Sequence, residues 1–194
     1  MIGPEHPSTL ISMGNLASIY QNRGRWPEAE ELQVQVMEIR KRVQELEHPD
    51  TLTSMNNLAL IYLNQGRGQE AEELLMQVMK IRKREQGLEH PGTLTSMNNL
   101  ASTYENQGRW SEAEELQVQV VEITKRVLGP EHPGTLASMN NLAFTWKSQG
   151  REQQALDMMI ECVELMKHKL GLNHPDIIKH IKLLKKWQSE MVEN

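Results

Sequence analysis

Five His-Pro dipeptides, a lone cysteine and a dense set of carboxylates are the residues of this chain that could do chemistry. His6, His48, His90, His132 and His174 each precede a proline and follow one another at a spacing of 42 residues. Imidazoles could bind zinc, but zinc gathers several ligands around one point at about 2 Å. One histidine per 42 residues puts them on successive structural units, roughly 10 Å apart if those units are packed helices. His168 lies near His174, with no further ligand evident. Cys162 would need an adjacent base to act as a nucleophile, and none is evident. It stands where the corresponding positions carry Val36, Val78 and Val120, so core packing explains it. Glu28, Glu30 and Glu31 read as a solvated helix start. There is no Gly-rich phosphate loop and no nucleophile paired with a base. The expectation is a protein that is not an enzyme and holds no metal or cofactor.

The spacing that separates the histidines is the dominant feature of the chain. Gly-Arg recurs at Gly24-Arg25, Gly66-Arg67, Gly108-Arg109 and Gly150-Arg151, and Asn-Leu-Ala recurs from Asn15, Asn57, Asn99 and Asn141, all 42 residues apart. Ala29, Ala71, Ala113 and Ala155 each follow five residues after the glycine. The blocks starting at His48 and His90 agree at roughly two thirds of positions, which marks a repeat architecture. Units span approximately residues 6–47, 48–89, 90–131 and 132–173, and 174–194 forms a closing helix; the whole of 1–194 reads as a single repeat domain.

Within the unit from His48, the His48-Pro49-Asp50-Thr51 sequence is a helix start, with Asp50 or Thr51 suited to cap it or to favour the positive end of the dipole. Leu52, Met55, Leu58, Ala59 and Tyr62 recur at helical spacing and form an apolar face. Gly66 suits the left-handed position that ends a helix. A second helix from about Gln69 to Glu85 buries Ala71, Leu74, Leu75, Val78 and Ile81. Its glutamates cluster early and its basic residues late, complementing the dipole. Ala59 and Ala71 fall where two helices must approach closely. Met13, Met55, Met97 and Met139, one per unit, read as core.

Composition narrows the function classes. Net charge is −5 and no basic stripe is present, so a phosphate backbone is an unsuitable partner. A single cysteine excludes an internal disulfide and suits a reducing compartment, here the cytoplasm. No apolar run reaches the length of a membrane span, so no membrane association is expected.

The first-helix pattern Leu58-Ala59-Tyr62 and the early Ala71 resemble the tetratricopeptide repeat. The longer unit, with His-Pro, Asn-Asn-Leu-Ala, Gly-Arg and a Glu-Ala-Glu-Glu run, looks like the kinesin light chain subtype, which also occurs as C-terminal arrays of fungal and bacterial nucleotide-binding signalling proteins. The resemblance implies an all-α, right-handed superhelical solenoid of antiparallel helix hairpins whose first helices line a concave groove. It implies a scaffold that binds a protein or an extended peptide; the alternative is a regulatory or sensor segment of a larger nucleotide-dependent signalling protein. There are departures. Trp146 replaces the tyrosine of the other units, and Ile11, Thr53, Thr95 and Ala137 stand where a carboxylate clamp of such repeats would need a basic residue.

On that geometry the candidate contacts are asparagines. Asn15, Asn57, Asn99 and Asn141 form one ladder, and Asn22, Asn64, Asn106 and Ser148 a second. Gly14, Asn56, Asn98 and Asn140 lie between them. A carboxamide donates and accepts, so it can hold a peptide backbone whatever its sequence. Residues that vary, such as Leu63, Glu105 and Lys147, would set selectivity. The competing reading is structural: one amide per unit at a fixed site that caps a helix or satisfies the backbone of a neighbouring one.

The ends differ. Gly3-Pro4-Glu5-His6-Pro7 repeats the internal string Gly129-Pro130-Glu131-His132-Pro133, so the chain opens in what reads as a linker of a longer array. A first hairpin without an upstream neighbour is expected to self-associate weakly through that edge. The last helix is expected to turn Ile178, Ile181, Leu184 and Trp187 inward and its lysines outward, either as a cap or as a partner-binding helix.

Overall fold

A histidine opens each first helix. In the computed structural model, His6, His48, His90, His132 and His174 sit in extended backbone or directly before a helix, and each Nδ1 accepts the backbone N–H two residues on, at 3.2, 3.1, 3.1, 3.0 and 3.3 Å. The capping group is therefore the imidazole and not Asp50 or Thr51, as expected from composition alone. The following proline supplies a preset φ at a position whose N–H has no helical partner. This is why His and Pro travel together.

The structure describes residues 3–170 and 174–193. Among these, the helices are α1 (Pro7–Asn22), α2 (Trp26–Gln44), α3 (Pro49–Asn64), α4 (Gly68–Gln86), α5 (Pro91–Asn106), α6 (Trp110–Val127), α7 (Pro133–Ser148), α8 (Glu152–Leu170) and α9 (Pro175–Glu193), and the described residues contain no strand. The chain divides into two compact units, Met1–Gln107 and Gly108–Asn194.

The first unit carries α1 to α5, each helix packed on the next. The α3 terminus shows how hairpins close. Arg67 N–H donates to Tyr62 O at 2.9 Å and Gly66 N–H to Leu63 O at 3.0 Å, with Gly66 at φ 78°, the Schellman arrangement that a side chain would strain. Leu52, Met55, Leu58, Val78, Ile81 and Met37 form one buried cluster. Ala59 and Ala71 are fully buried, as their close-approach role requires. Tyr62 and Leu74 lie at the margin of the cluster, half-buried, because Tyr62 turns its ring toward the hairpin turn.

The second unit carries α6 to α9. Val121, Leu136, Met139, Leu142, Cys162, Met166 and Ile177 form its first cluster. Ala143, Ala155, Leu156, Met159 and Trp187 form a second, with the Phe144 and Trp187 rings edge-to-face at 5.2 Å. The closing helix buries Ile177 fully and leaves Ile178 44% exposed. Trp187 is buried and Ile181 and Leu184 pack partly buried against the clusters, so of the expected inward face only Ile178 is misplaced. A shift of one residue turns a helical position by about 100°, enough to exchange the two isoleucines.

Candidate functional site

The turns between hairpin helices carry a dense side-chain network, and it explains the arginines of Gly66-Arg67 and Gly150-Arg151. In the first unit Arg67 stacks its guanidinium 4.0 Å above the Tyr62 ring. It also pairs with Glu70 and reaches Glu30 of the preceding hairpin at 2.8 Å. Gln65 donates to the same Glu30 at 2.8 Å. Burial opposes charge on Glu30, but the Arg67 and Gln65 hydrogen bonds outweigh it and hold the carboxyl below its ordinary range. Gln107 repeats the contact on Glu72 at 3.0 Å. In the second unit Glu114 accepts from Trp146 Nε1 at 2.8 Å, from Gln149 at 3.0 Å and from Arg151. The indole N–H that Trp146 brings is thus used on the same carboxylate. This network joins consecutive hairpins and is structural. A polar cavity of about 790 Å³ borders it at Arg109, Trp110, Glu114, Ser148 and Arg151.

The asparagine positions fall into distinct roles. Asn56 is buried, and its Oδ1 accepts the Asn99 Nδ2 at 2.9 Å, a strut between α3 and α5. Asn64 turns back on its own helix, donating to Leu60 O at 2.8 Å. Asn98 and Asn140 are half-buried, each with a buried Oδ1 that has no partner among the described residues. Asn22, Asn106, Asn141 and Ser148 are exposed. Asn15 is exposed and Asn57 half-buried, and neither carboxamide has a hydrogen-bond partner among the described residues. These two lie together. They line a cavity of about 170 Å³ bounded by α1, α2 and α3, with Ile11, Gly14, Arg40 and Thr53.

Arg40 and Arg82, on the second helices, reach the first turn of the following first helix, which the sequence reading did not anticipate. Arg40 Nη1 donates to Asp50 O and to Ser54 Oγ, both at 2.8 Å. Arg82 is 8% exposed and donates to Gly92 O at 2.6 Å and Thr53 Oγ1 at 3.3 Å. Both have a buried Nε without a partner, and neither forms an ion pair among the described residues. Burial lowers the Arg82 pKa. The signal that could have found them is their shared register: Thr124 and Met166 occupy the same position in later repeats.

Groups that could hold a metal are absent among the described residues. Cys162 is buried, its thiol 3.6 Å from Leu136 O, and burial pushes its pKa up to about 11. No helix among the described residues is long and apolar enough to cross a membrane.

The sequence profile of the tetratricopeptide repeat matches residues 8–84, 50–125 and 97–168, which overlap to cover most of the chain. The chain belongs to the tetratricopeptide repeat family. Two crystal structures of Podosopora anserina kinesin light chain nearly identical TPR-like repeats, one of them a substituted variant, are similar to it. They share 34% and 33% identity, each with a TM-score of 0.80. The alignments cover 96% and 97% of this chain and 98% and 99% of those chains. BtubC (BKLC) from P. vanneervenii shares the fold, with a TM-score of 0.78 at 20% identity over 94% of this chain and 74% of that one. No curated protein matches the sequence. The array is of kinesin light chain-like type, an all-α helical repeat solenoid, and repeats of this family generally mediate protein–protein interaction.

Proposed function

We propose that this chain is a non-catalytic cytoplasmic scaffold that holds an extended peptide segment of a partner protein along its first helices. The observation that carries this reading is the pair Asn15 and Asn57. Both sit on the first-helix face, accessible, with carboxamides that no group of the protein satisfies among the described residues. A carboxamide left free in this way can accept a peptide N–H and donate to a peptide C=O. The family's role in protein–protein interaction supports the same reading. Asn99 contributes less freely because its donor already holds Asn56.

That difference selects the test. Asn99→Ala would strip a buried Asn56 of its partner and confound binding with stability. Asn15→Ala with Asn57→Ala avoids this. Randomised fluorescent nonapeptide pools should bind the protein, and the double variant should lose roughly tenfold in affinity, as two lost hydrogen bonds would give. Its melting temperature should stay within a degree or two of the parent's. A fall in melting temperature with unchanged peptide binding would overturn the reading.

A further inference from the structure

The outward face of α9 and the groove between α2 and α4 each lack a partner, and their chemistries are complementary. On α9, Ile178 is 44% exposed. Lys182 lies one turn further along the same face, flanked by Lys179 and Lys185. None of these three lysines forms an ion pair among the described residues, and Lys186 reaches Glu190 only at 3.8 Å. Residues 165–188 hold six lysines against the single carboxylate Asp176, in a chain whose net charge is −5. The apolar side of α9 is already packed on the second unit through Ile177 and Trp187, so the lysine face is the one it offers outward.

The first unit carries the counterpart. A cavity of about 300 Å³ opens between the second helices α2 and α4. Met37, Leu58, Tyr62 and Leu74 form its floor, with Glu70, Glu73 and Gln77 at the rim. Arg67 occupies the Glu70 carboxylate, whereas Glu73 is exposed and has no partner among the described residues. The second unit closes the corresponding place with its own side chains. There Lys125 bridges to Glu161 at 2.8 Å, and the larger Trp146 stands in the position of Tyr62. In the first unit Gln77 replaces Glu161, and Lys41 turns to Glu38 at 3.4 Å instead. Residues 1–107 carry fourteen carboxylates against ten Lys and Arg, so the open groove lies on an acidic unit.

From this we infer that the α2–α4 groove of one molecule receives the α9 face of a second copy. Ile178 enters the apolar cavity, Lys182 pairs with Glu73, and the flanking lysines face the acidic rim. The pairing of Lys125 with Glu161 is the chain's own precedent for a lysine set against a second-helix carboxylate at this place. Different patches of the two copies meet, so the contact is heterologous and builds dimers or longer chains as concentration rises. It uses neither Asn15 nor Asn57 and is independent of the peptide-binding reading.

Sedimentation velocity of the full chain, from micromolar to millimolar concentration, tests it. The weight-average mass should rise with concentration in 0.1 M salt. It should fall back toward the monomer in 1 M salt, where the screening length drops from about 10 Å to about 3 Å. Ile178→Asp, Lys182→Glu and Glu73→Lys should each weaken association by at least about tenfold, as loss of a central contact does. All three positions are exposed, so melting temperatures close to the parent's should show that the variants fold. Combining Glu73→Lys with Lys182→Glu reverses the pair and should restore association to within a few-fold of the parent, which a merely structural effect would not do. Leu16→Asp, on the exposed side of α1, should leave it unchanged. A strict monomer at millimolar concentration would overturn the inference. So would association that survives Ile178→Asp, that is lost in Leu16→Asp, or that the reversed pair fails to restore.

Discussion

Glu45 stands where Gly87 and Gly129 stand in the next two units, and it adopts their backbone conformation. Its φ is 70° and ψ 169°, against 85° and 167° at Gly87. That region is essentially open to glycine only, and holding another residue there costs on the order of 1–3 kcal/mol. Glycine loses more backbone freedom on folding, roughly 0.5–1 kcal/mol. The side chain of Glu45 is exposed and in no ion pair among the described residues, so its removal sacrifices little. Glu45→Gly should therefore stabilise the protein by about 1 kcal/mol, raising the melting temperature by about 2–4 °C for a chain of this size. The reciprocal Gly87→Glu should cost about 1–3 kcal/mol through backbone strain alone. No atom lies within 4 Å of a Cβ at Gly87 to add a clash. Thermal and urea melts followed by circular dichroism measure both. Calorimetric and van't Hoff enthalpies should be compared as well, because repeat arrays can unfold in pieces. A Glu45→Gly variant no more stable than the parent, or a harmless Gly87→Glu, would refute the strain assignment.

Three further outcomes are expected. Leu58 is 1% exposed within its cluster, so Leu58→Ala should cost about 2–5 kcal/mol, and a melt without loss would contradict the core assignment. The Glu30 carboxyl is depressed in the fold, so its contribution is present above its unfolded value near 4.5 and is lost as pH falls through the folded value. Glu30→Gln should consequently flatten the decline of stability below about pH 4.5, and an equally steep decline in melts from pH 3 to 7 would count against the network. Cys162, buried and with its thiol pushed up to about 11, should resist a disulfide reagent at pH 8 in the folded protein and react as soon as denaturant unfolds it. Rapid native labelling would show that its surroundings open.

Much of the fold could be read from the residues because a repeat prints its packing rules several times. Gly66 was recognisable as a helix end, and Ala59 and Ala71 as points of close approach, since each recurs at one spacing and each has a steric reason. The arginine after the glycine recurs just as regularly, yet its reason lies in Glu30, on the preceding hairpin and 37 residues away. The histidine caps were hidden for another reason: composition favours Asp or Thr as caps, and only the extended backbone before each proline lets the imidazole meet the N–H two residues on.

The candidate site was less legible. Asn56 and Asn57 are adjacent and identical in type, but one is a buried strut and the other is free, because what each meets depends on the helix a full repeat away. Arg40 and Arg82 looked like the basic end of a second helix, and the packing of the next first helix half-buries the one and buries the other.

The 42-residue period, the small residues and the turn glycines by themselves determined that this chain is a helical repeat array, since local sterics and helical periodicity are properties of consecutive residues. Which amides remain unsatisfied, and where Gly14 leaves a space, was decided only by tertiary structure. Hydrogen-bond satisfaction and cavities belong to pairs of helices, and no single repeat contains both partners.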